Sequence, residues 1–419
     1  MSAGLDLTGF DPMLKDHYSP LAVPNIAFQK NPALGMLKKS SKQPGGGRKW
    51  VQPFQFGYAG GGSSDFPTAM SASNNFSKYE AWEVTRAKHY RLAQVDNETI
   101  EATASGNMDA FEPAFDEFDK GIEAEANWIN FRFYRSKGGA IGRTTNSNLA
   151  TTAMVIDDAA GTWAVTKSDI LQLSSTDGTS GSVRTGTVTV SAISRQPTST
   201  GTGTITLTSN ISTGIPAAAQ NDYIFLKGDF GLAPAGLADW IPDSAPSSTS
   251  FFGVDRTAEA EMMGGLRIDN SSVGAPLNEL YTDMAAQIDN MGGSPDIALL
   301  HPITAATLSK QLDGRWVTLK AVNFDGSDAE IGYRGFQVNF SGHDVTLMTD
   351  RMCPVNRTYM LDWNVLTMFS AGPAPNFLQK RAGSIIKVSE AFDGYEARIG
   401  EYINFVDRVP GYGCVGILA

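Results

Sequence analysis

Apolar residues recur in steps of three and four from Met108 through Phe111, Phe115, Phe118, Ile122, Ala126 and Ile129 to Phe133. That spacing draws one stripe along a helix and predicts the longest helix of the chain over 107–137, roughly 35–40 Å at 1.5 Å per residue. Asn107 or Asp109 suits its start, Pro113 fits only in the first turn, and Gly138-Gly139 should end it. Acids come early (Glu112, Asp116, Glu117, Asp119) and bases late (Arg132, Arg135, Lys137), which complements the helix dipole.

Before the helix the pattern changes to period two. Trp50, Phe54, Phe56 and Tyr58 fall on one side of KWVQPFQFGY, and KYEAWEVTRAKHYRLAQV carries Trp82, Val84, Tyr90 and Leu92 among charges. With Gly60-Gly61-Gly62-Ser63-Ser64-Asp65 between them, the two runs predict a long hairpin over 46–95 with a flexible tip. Such a ribbon is marginal alone and needs something to pack against. Residues 1–45 read as an extended arm, because Pro12, Pro20, Pro24, Pro32 and Pro44 forbid long helices while Phe10, Leu21, Phe28, Leu34 and Leu37 are too apolar for a solvated tail.

After the helix, 141–255 is rich in Thr, Ser, Val and Gly, and glutamate is absent from 141–230. Short runs such as SVRTGTVTVSAIS and TGTITLTSNIS predict an inserted small β domain, a barrel or a sandwich. From 256 the mixed pattern returns. LNELYTDMAAQIDNM predicts an amphipathic helix, DIALL a buried strand, HPITAATLSKQLDGR a second helix, and RGFQVNFSGHDVTLMTD, NRTYMLDWNVLTMFSA and 384–409 mostly strands. The fold class is α+β.

Composition narrows the chemistry. The 419 residues, 42% of them apolar, can bury a sizeable core divided over two or three domains. Charged residues make up 18%, below the usual ~25%, and the net charge of −11 excludes a strongly basic nucleic-acid reader. Two cysteines, Cys353 and Cys414, supply neither a disulfide framework nor a four-ligand zinc site. The first residues hold no apolar signal core, and no run of 18 apolar residues occurs. The expectation is a soluble chain made in a reducing compartment, without a membrane.

Catalytic signatures are missing. There is no GxSxG elbow, phosphate loop, HExxH or CxxC, and neither a cofactor nor a metal is expected. Of four histidines, His301 precedes Pro302 at a strand-to-helix junction, where the plain reading is a helix-start residue. His89 sits among Arg86, Lys88 and Arg91 and reads as one of several cationic contacts. Asn323–Asp328 imitates a calcium loop, but Arg334 stands where its bidentate glutamate belongs.

Charge is segregated along the chain: 1–95 carries a net +5, 96–137 a net −6 and the remainder −10. A basic arm and hairpin therefore precede an acidic helix. Lys38, Lys39, Arg48 and Lys49 on one side, with Glu112, Asp116 and Asp119 on the other, are the candidate contacts between copies of the chain.

The order of elements resembles the major capsid protein family of tailed bacteriophages, the Hong Kong 97-type fold. An extended arm, a glycine-tipped hairpin, a long acidic helix, a mixed α+β domain and a closing β segment follow one another in that family too. The resemblance maps 1–45 to its N-arm, 46–95 to its E-loop and 96–140 to its peripheral domain with the spine helix. It maps 141–255 to an inserted β domain, 256–383 to the axial domain and 384–419 to return strands of the peripheral domain. HPITAATLSKQLDGR and NRTYMLDWNVLTMF look like the family's axial segments, and YEARIGEYINFVDRVPGYGCVGI like its closing strand.

The function implied is self-assembly as hexamers and pentamers into an icosahedral shell around double-stranded DNA, held without sequence specificity. The partners implied are portal and scaffolding proteins, with room for a decoration protein. The location implied is the virion, after assembly in the host bacterial cytoplasm. Lys38, Lys39, Lys42 and Lys49 lie near the hairpin, but no Asn and Glu partners for a covalent cross-link are identifiable. Competing readings are a tail tube or sheath subunit, an encapsulin-like compartment and a glycan-binding or hydrolytic β protein. The last is disfavoured by the scarcity of acids in 141–255.

Overall fold

The computed structural model describes residues 31–40, 49–58, 60, 62–71, 76–97, 112–195, 201–312, 320–322, 335–378, 386–389 and 393–418. Its strands form a seven-stranded sheet, two six-stranded sheets and a two-stranded hairpin. Helices and sheets alternate along the chain, the α+β class expected from the sequence.

The hairpin pairs Trp50–Gly57 with Lys78–Val84, Trp50 opposite Val84. Its period-two pattern is real: Trp50, Gln52, Phe54 and Phe56 are half-buried while Val51, Pro53 and Gln55 are exposed. The ribbon is shorter than its sequence suggested, because the descending run breaks at Thr85-Arg86. The next strand, Ala87–Asp96, leaves the hairpin and runs antiparallel along Gly394–Asp407, from Ala87 opposite Ile403 to Asp96 opposite Gly394. Fourteen residues long, Gly394–Asp407 organises its sheet. It also pairs Leu366–Ser370, which in turn takes Lys39–Ser40 as a parallel neighbour.

The long helix is described over Glu112–Phe133, with Pro113 in its first turn; the expected caps Asn107 and Asp109 lie outside the described residues. Ile122, Ala126, Ile129 and Phe133 are all buried, as the stripe requires. Trp128, Asn130, Phe131 and Arg132 are buried as well. The C-terminal half of the helix is therefore enclosed on more than the striped face. Gly138 does not cap the helix directly. It lies so close to Asp177-Gly178 that a Cβ on Gly138 would stand 2.0 Å from the Asp177 carbonyl oxygen. Gly178 has φ +92° and touches Gly138 reciprocally. Two glycine turns thus form one backbone-to-backbone contact.

The inserted domain is a barrel. Its strands run in the order Gly142–Arg143, Tyr223–Leu226, Ile170–Ser174, Val188–Ser194, Gly203–Leu207 and Ala153–Ile156. A bridge between Thr144 and Ile156 joins the last strand to the first, which removes the open edges. Met154, Ile156, Leu171, Leu173, Val188, Val190, Ile205, Leu207 and Ile224 fill it. The barrel ends near Leu226, earlier than the compositional block. The remaining stretch to residue 255 returns to the body, where Trp240 Nε1 donates to the Phe405 carbonyl at 3.0 Å.

In the seven-stranded sheet the order is Leu266–Asp269, Gly413–Ile417, Arg357–Leu361, Ile297–Leu300, His343–Thr349, Gly335–Phe340 and Lys320–Val322. Helix Leu277–Asn290 lays Leu280, Tyr281, Met284 and Ile288 against Ala298, Leu300, Met360 and Cys414. The alternate residues Ile297, Leu299, Tyr359, Leu361 and Val415 join the main core with the long helix. Both faces are covered, which is why IALL is apolar throughout. The same reason corrects the placement of the chain end. Gly413–Ile417 was expected with the peripheral return strands, but Cys414 and Val415 each need a covered face, and only this sheet provides both. Leu366–Ser370 moves the other way, out of 256–383 and into the sheet of Gly394–Asp407.

Candidate assembly surfaces

The hairpin is firmly rooted and freely tipped. At its base Trp82 is fully buried, stacked on Phe54 with centroids 4.7 Å apart and edge-on to Trp240 at 5.2 Å and Phe251 at 6.1 Å. Trp50 stacks on Phe369, Glu83 N donates to the Phe252 carbonyl at 2.8 Å, and Lys49 pairs with Glu83. Beneath these rings Lys137 Nζ lies 5.0 Å from the centre of Phe251, and burial pushes Asp239 up to about 7.

Toward the tip the character reverses. Tyr58 is 91% exposed, Phe66 77%, Phe76 76%, Tyr79 66% and Met70 65%. The tip also carries the short helix Phe66–Ser71, whose first turn is capped by Asp65 accepting from Thr68 N and Oγ1. Concentrated apolar side chains on a projecting ribbon are unusual on an isolated soluble subunit and mark a contact surface.

Of the seven predicted contact residues, Lys38, Lys39 and Lys49 have described side chains, and each meets a different neighbour. Lys38 Nζ donates to Asn364 Oδ1 at 3.1 Å. Lys39 pairs its backbone with Met368, and although much of its side chain is exposed, dense protein around the ammonium pushes it down to about 8. Lys49 is held by Glu83 within its own hairpin. Arg48 lies outside the described residues. Glu112, Asp116 and Asp119 occupy the first turns of the long helix, and their side chains lie outside the described residues. Among the described residues, then, the basic group gathers at the hairpin base and the strand Leu366–Ser370.

The other candidates resolve plainly. His301 is buried before helix Pro302–Leu312, its Nδ1 accepting from Ile303 N at 3.3 Å, and burial lowers its pKa. His89 shares the Glu125 carboxylate with Arg91, whose Nε donates to that group at 3.2 Å. It also stacks on Trp128 with centroids 3.8 Å apart. Burial pushes both thiols up, and neither cysteine is exposed. The calcium-like stretch Asn323–Asp328 lies outside the described residues. Among the described residues no three metal-binding side chains converge, and no helix is long and apolar enough to cross a membrane.

Sequence reasoning missed the charges that bind the parts of the subunit together. Arg135, just past the long helix, pairs with Asp158 of the barrel, whose Oδ1 accepts from Ala160 N at 3.0 Å and Val355 N at 3.3 Å. Arg132 pairs with Asp229 at 2.7 Å, and Arg357 of the seven-stranded sheet pairs with Asp243. Asp350 accepts from Asn130 at 2.8 Å and Tyr134 at 3.0 Å, and burial raises its pKa. The barrel is thus fastened to the helix and to the sheet. No local pattern could reveal pairs separated by up to 220 positions.

No family profile matches the chain, and no curated protein matches it in sequence. Its fold, however, matches solved structures over nearly its whole length. The capsid asymmetric unit of cyanophage A-1(L) is 11% identical, with 93% of this chain and 92% of that one covered and a TM-score of 0.51. A Mycobacterium phage Ogopogo structure is 10% identical over 93% of both chains at a TM-score of 0.43. The SrpI encapsulin of Synechococcus elongatus is 9% identical, covering 93% of this chain and 88% of that one at 0.45. The fold is that of the cyanophage capsid subunit.

Proposed function

We propose that this chain is the major capsid subunit of a tailed bacteriophage, assembling as hexamers and pentamers into an icosahedral shell around double-stranded DNA. One observation carries the reading: on a fold shared with a phage capsid subunit over 93% of the chain, a rooted hairpin projects an apolar tip that the subunit does not cover. A thin shell needs wide contact per subunit, and projecting ribbons supply it without a larger core. Closed symmetry then turns many modest contacts into a stable container. A net charge of −11 suits a container that must not grip its DNA tightly.

In this reading the chain's first partner is itself, and a scaffolding protein and a portal act on the assembling shell in the host cytoplasm, with room for a decoration protein. Electron microscopy with light scattering, with and without a co-expressed scaffold, should give closed shells of hundreds of copies. Shells filled with protein cargo instead of nucleic acid would favour an encapsulin-like compartment, stacked rings a tail tube or sheath, and a clean monomer would overturn assembly.

The basic group is proposed to set register between copies. Reversing Lys38, Lys39, Arg48 and Lys49 to glutamate should impair assembly while leaving the fold intact, because exposed pairs such as Lys49–Glu83 contribute only ~0–1 kcal/mol within the subunit. Far-ultraviolet circular dichroism would report the fold and sedimentation the particles. Normal particles from the reversed chain would remove these residues from the interface.

A further inference from the structure

Between the long helix and the sheet beneath it lies a cluster of ionisable groups that no assembly surface uses. In the sheet His89 stands opposite Glu401 and Arg91 opposite Ile399. Residues two apart on a strand share a face, so His89, Arg91, Ala93, Ala397, Ile399 and Glu401 lie on one side. That side meets the helix. A Cβ on Gly121 would touch Ile399 and Ala93, and Glu125 accepts from Arg91 Nε at 3.2 Å while contacting His89 Nδ1. Glu125 is fully buried. Glu401 is 1% exposed, and neither of its carboxyl oxygens has a hydrogen-bond partner.

Among the described residues, the groups facing Glu401 are Glu125 from the helix and His89 and Arg91 from the neighbouring strand. Strand Leu366–Ser370 and the short helix Pro32–Met36, packed against the same elements, contain no ionisable side chain, and Lys387 of strand Ile386–Val388 stands opposite Glu396, off the face of Glu401. On the opposite face of the sheet Glu396 and Arg398 pair with each other. Lys120 and Glu123 lie on less covered parts of the helix. Glu125 already has two partners. Ionised Glu401 would thus be a second buried carboxylate beside the first, without a donor of its own, an arrangement strongly disfavoured.

We propose that this cluster is a proton-operated latch: protonated Glu401 lets the long helix close onto its sheet, and ionised Glu401, facing Glu125, drives the two apart. Burial and the Glu125 charge both raise the Glu401 pKa well above the carboxylate range, with Arg91 opposing. The folded chain therefore keeps a proton that the unfolded chain releases near pH 4.5. Stability from this group is complete below that pH, falls as pH rises above it, and stops falling once Glu401 ionises in the folded protein. One proton corresponds to a tenfold rise in the opening equilibrium per pH unit within that window.

The test is amide hydrogen exchange over 120–133 in the full chain, corrected for intrinsic rates, from about pH 5 to 9. Wild type should open up to about tenfold more per pH unit, and Glu401→Gln, neutral and nearly isosteric, should lack that slope and be the better protected of the two at pH 8. Equal slopes in the two proteins would overturn the latch. If Glu401→Gln fails to fold, the test passes to the protonated-carboxyl infrared band of wild type and Glu125→Gln. Removing the neighbouring charge should move that titration to lower pH, and an unmoved titration would equally overturn the proposal.

Discussion

Replacing Trp82 by alanine should detach the hairpin from the subunit and cost about 3–5 kcal/mol of stability, the range for truncating a large buried aromatic. Trp82 has no exposed surface and contacts rings from three directions: Phe54 in its own hairpin, and Trp240 and Phe251 in the stretch that follows the barrel. Removing the indole leaves a cavity bounded by stiff rings, which relax poorly, and loses aromatic contacts worth about 0.5–1.5 kcal/mol each beyond area burial. Urea unfolding would measure the loss. Trp82→Phe, which keeps one ring, should lose less than half as much. If the hairpin works between subunits as proposed, Trp82→Ala should also give fewer particles than its remaining stability allows, because a loosened root lets the apolar tip wander. A loss below about 1 kcal/mol would show that the ribbon is held elsewhere.

The second large effect is expected at Asp158. Its replacement by alanine removes the partner of Arg135 and an acceptor for two backbone N–H groups, all at the meeting point of barrel, helix end and sheet. Both charged side chains are nearly buried, at 8% for Arg135 and 5% for Asp158. Breaking such a pair strands a buried charge and costs about 3–5 kcal/mol. Arg135→Met combined with Asp158→Leu should be less destabilised than Asp158→Ala, since an apolar pair of similar volume strands no charge. The residual cost belongs to the two N–H groups, about 1–3 kcal/mol each when left unsatisfied. Thermal unfolding of Arg135→Met, Asp158→Leu and the double variant forms the cycle that separates these contributions. Equal losses in Asp158→Ala and the double variant would mean that the ion pair contributes nothing and the backbone bonds everything.

These two positions also show where sequence reading succeeds and fails. Trp82 was visible as an apolar residue in a period-two run, since alternation follows from strand geometry alone. Its partners Trp240 and Phe251 lie more than 150 positions away, inside a block read by composition as part of the β insertion. Asp158, half of Asp157-Asp158, looks in the sequence like an ordinary turn residue, as an aspartate before a short helical turn does. Its side chain does cap Ala160 N, yet its larger role is set by an arginine brought to it by the fold.

The seven candidate contact residues illustrate the same limit. Charge segregation is a property of sequence and holds whatever the fold. Which acid a lysine meets within the subunit is a property of space, and Lys49 meets Glu83 across its own hairpin. Glu401 is the extreme case. In YEARIGEYINF it looks like a solvated glutamate of an alternating strand, and only the helix laid over that face removes its water.

Short-range periodicity by itself determined the elements: the three- and four-step stripe of the long helix, the two-step alternation of the hairpin, the apolar IALL, and the glutamate-free β block. Each follows from side-chain geometry along a single element and needs no neighbour. Only the tertiary structure decided which strands share a sheet, that Thr85-Arg86 ends the hairpin, that Gly413–Ile417 belongs between Leu266–Asp269 and Arg357–Leu361, and that the barrel is bolted to the helix by buried charge. Those outcomes depend on burying both faces of strands and satisfying buried charges, and both conditions are met by residues distant in sequence.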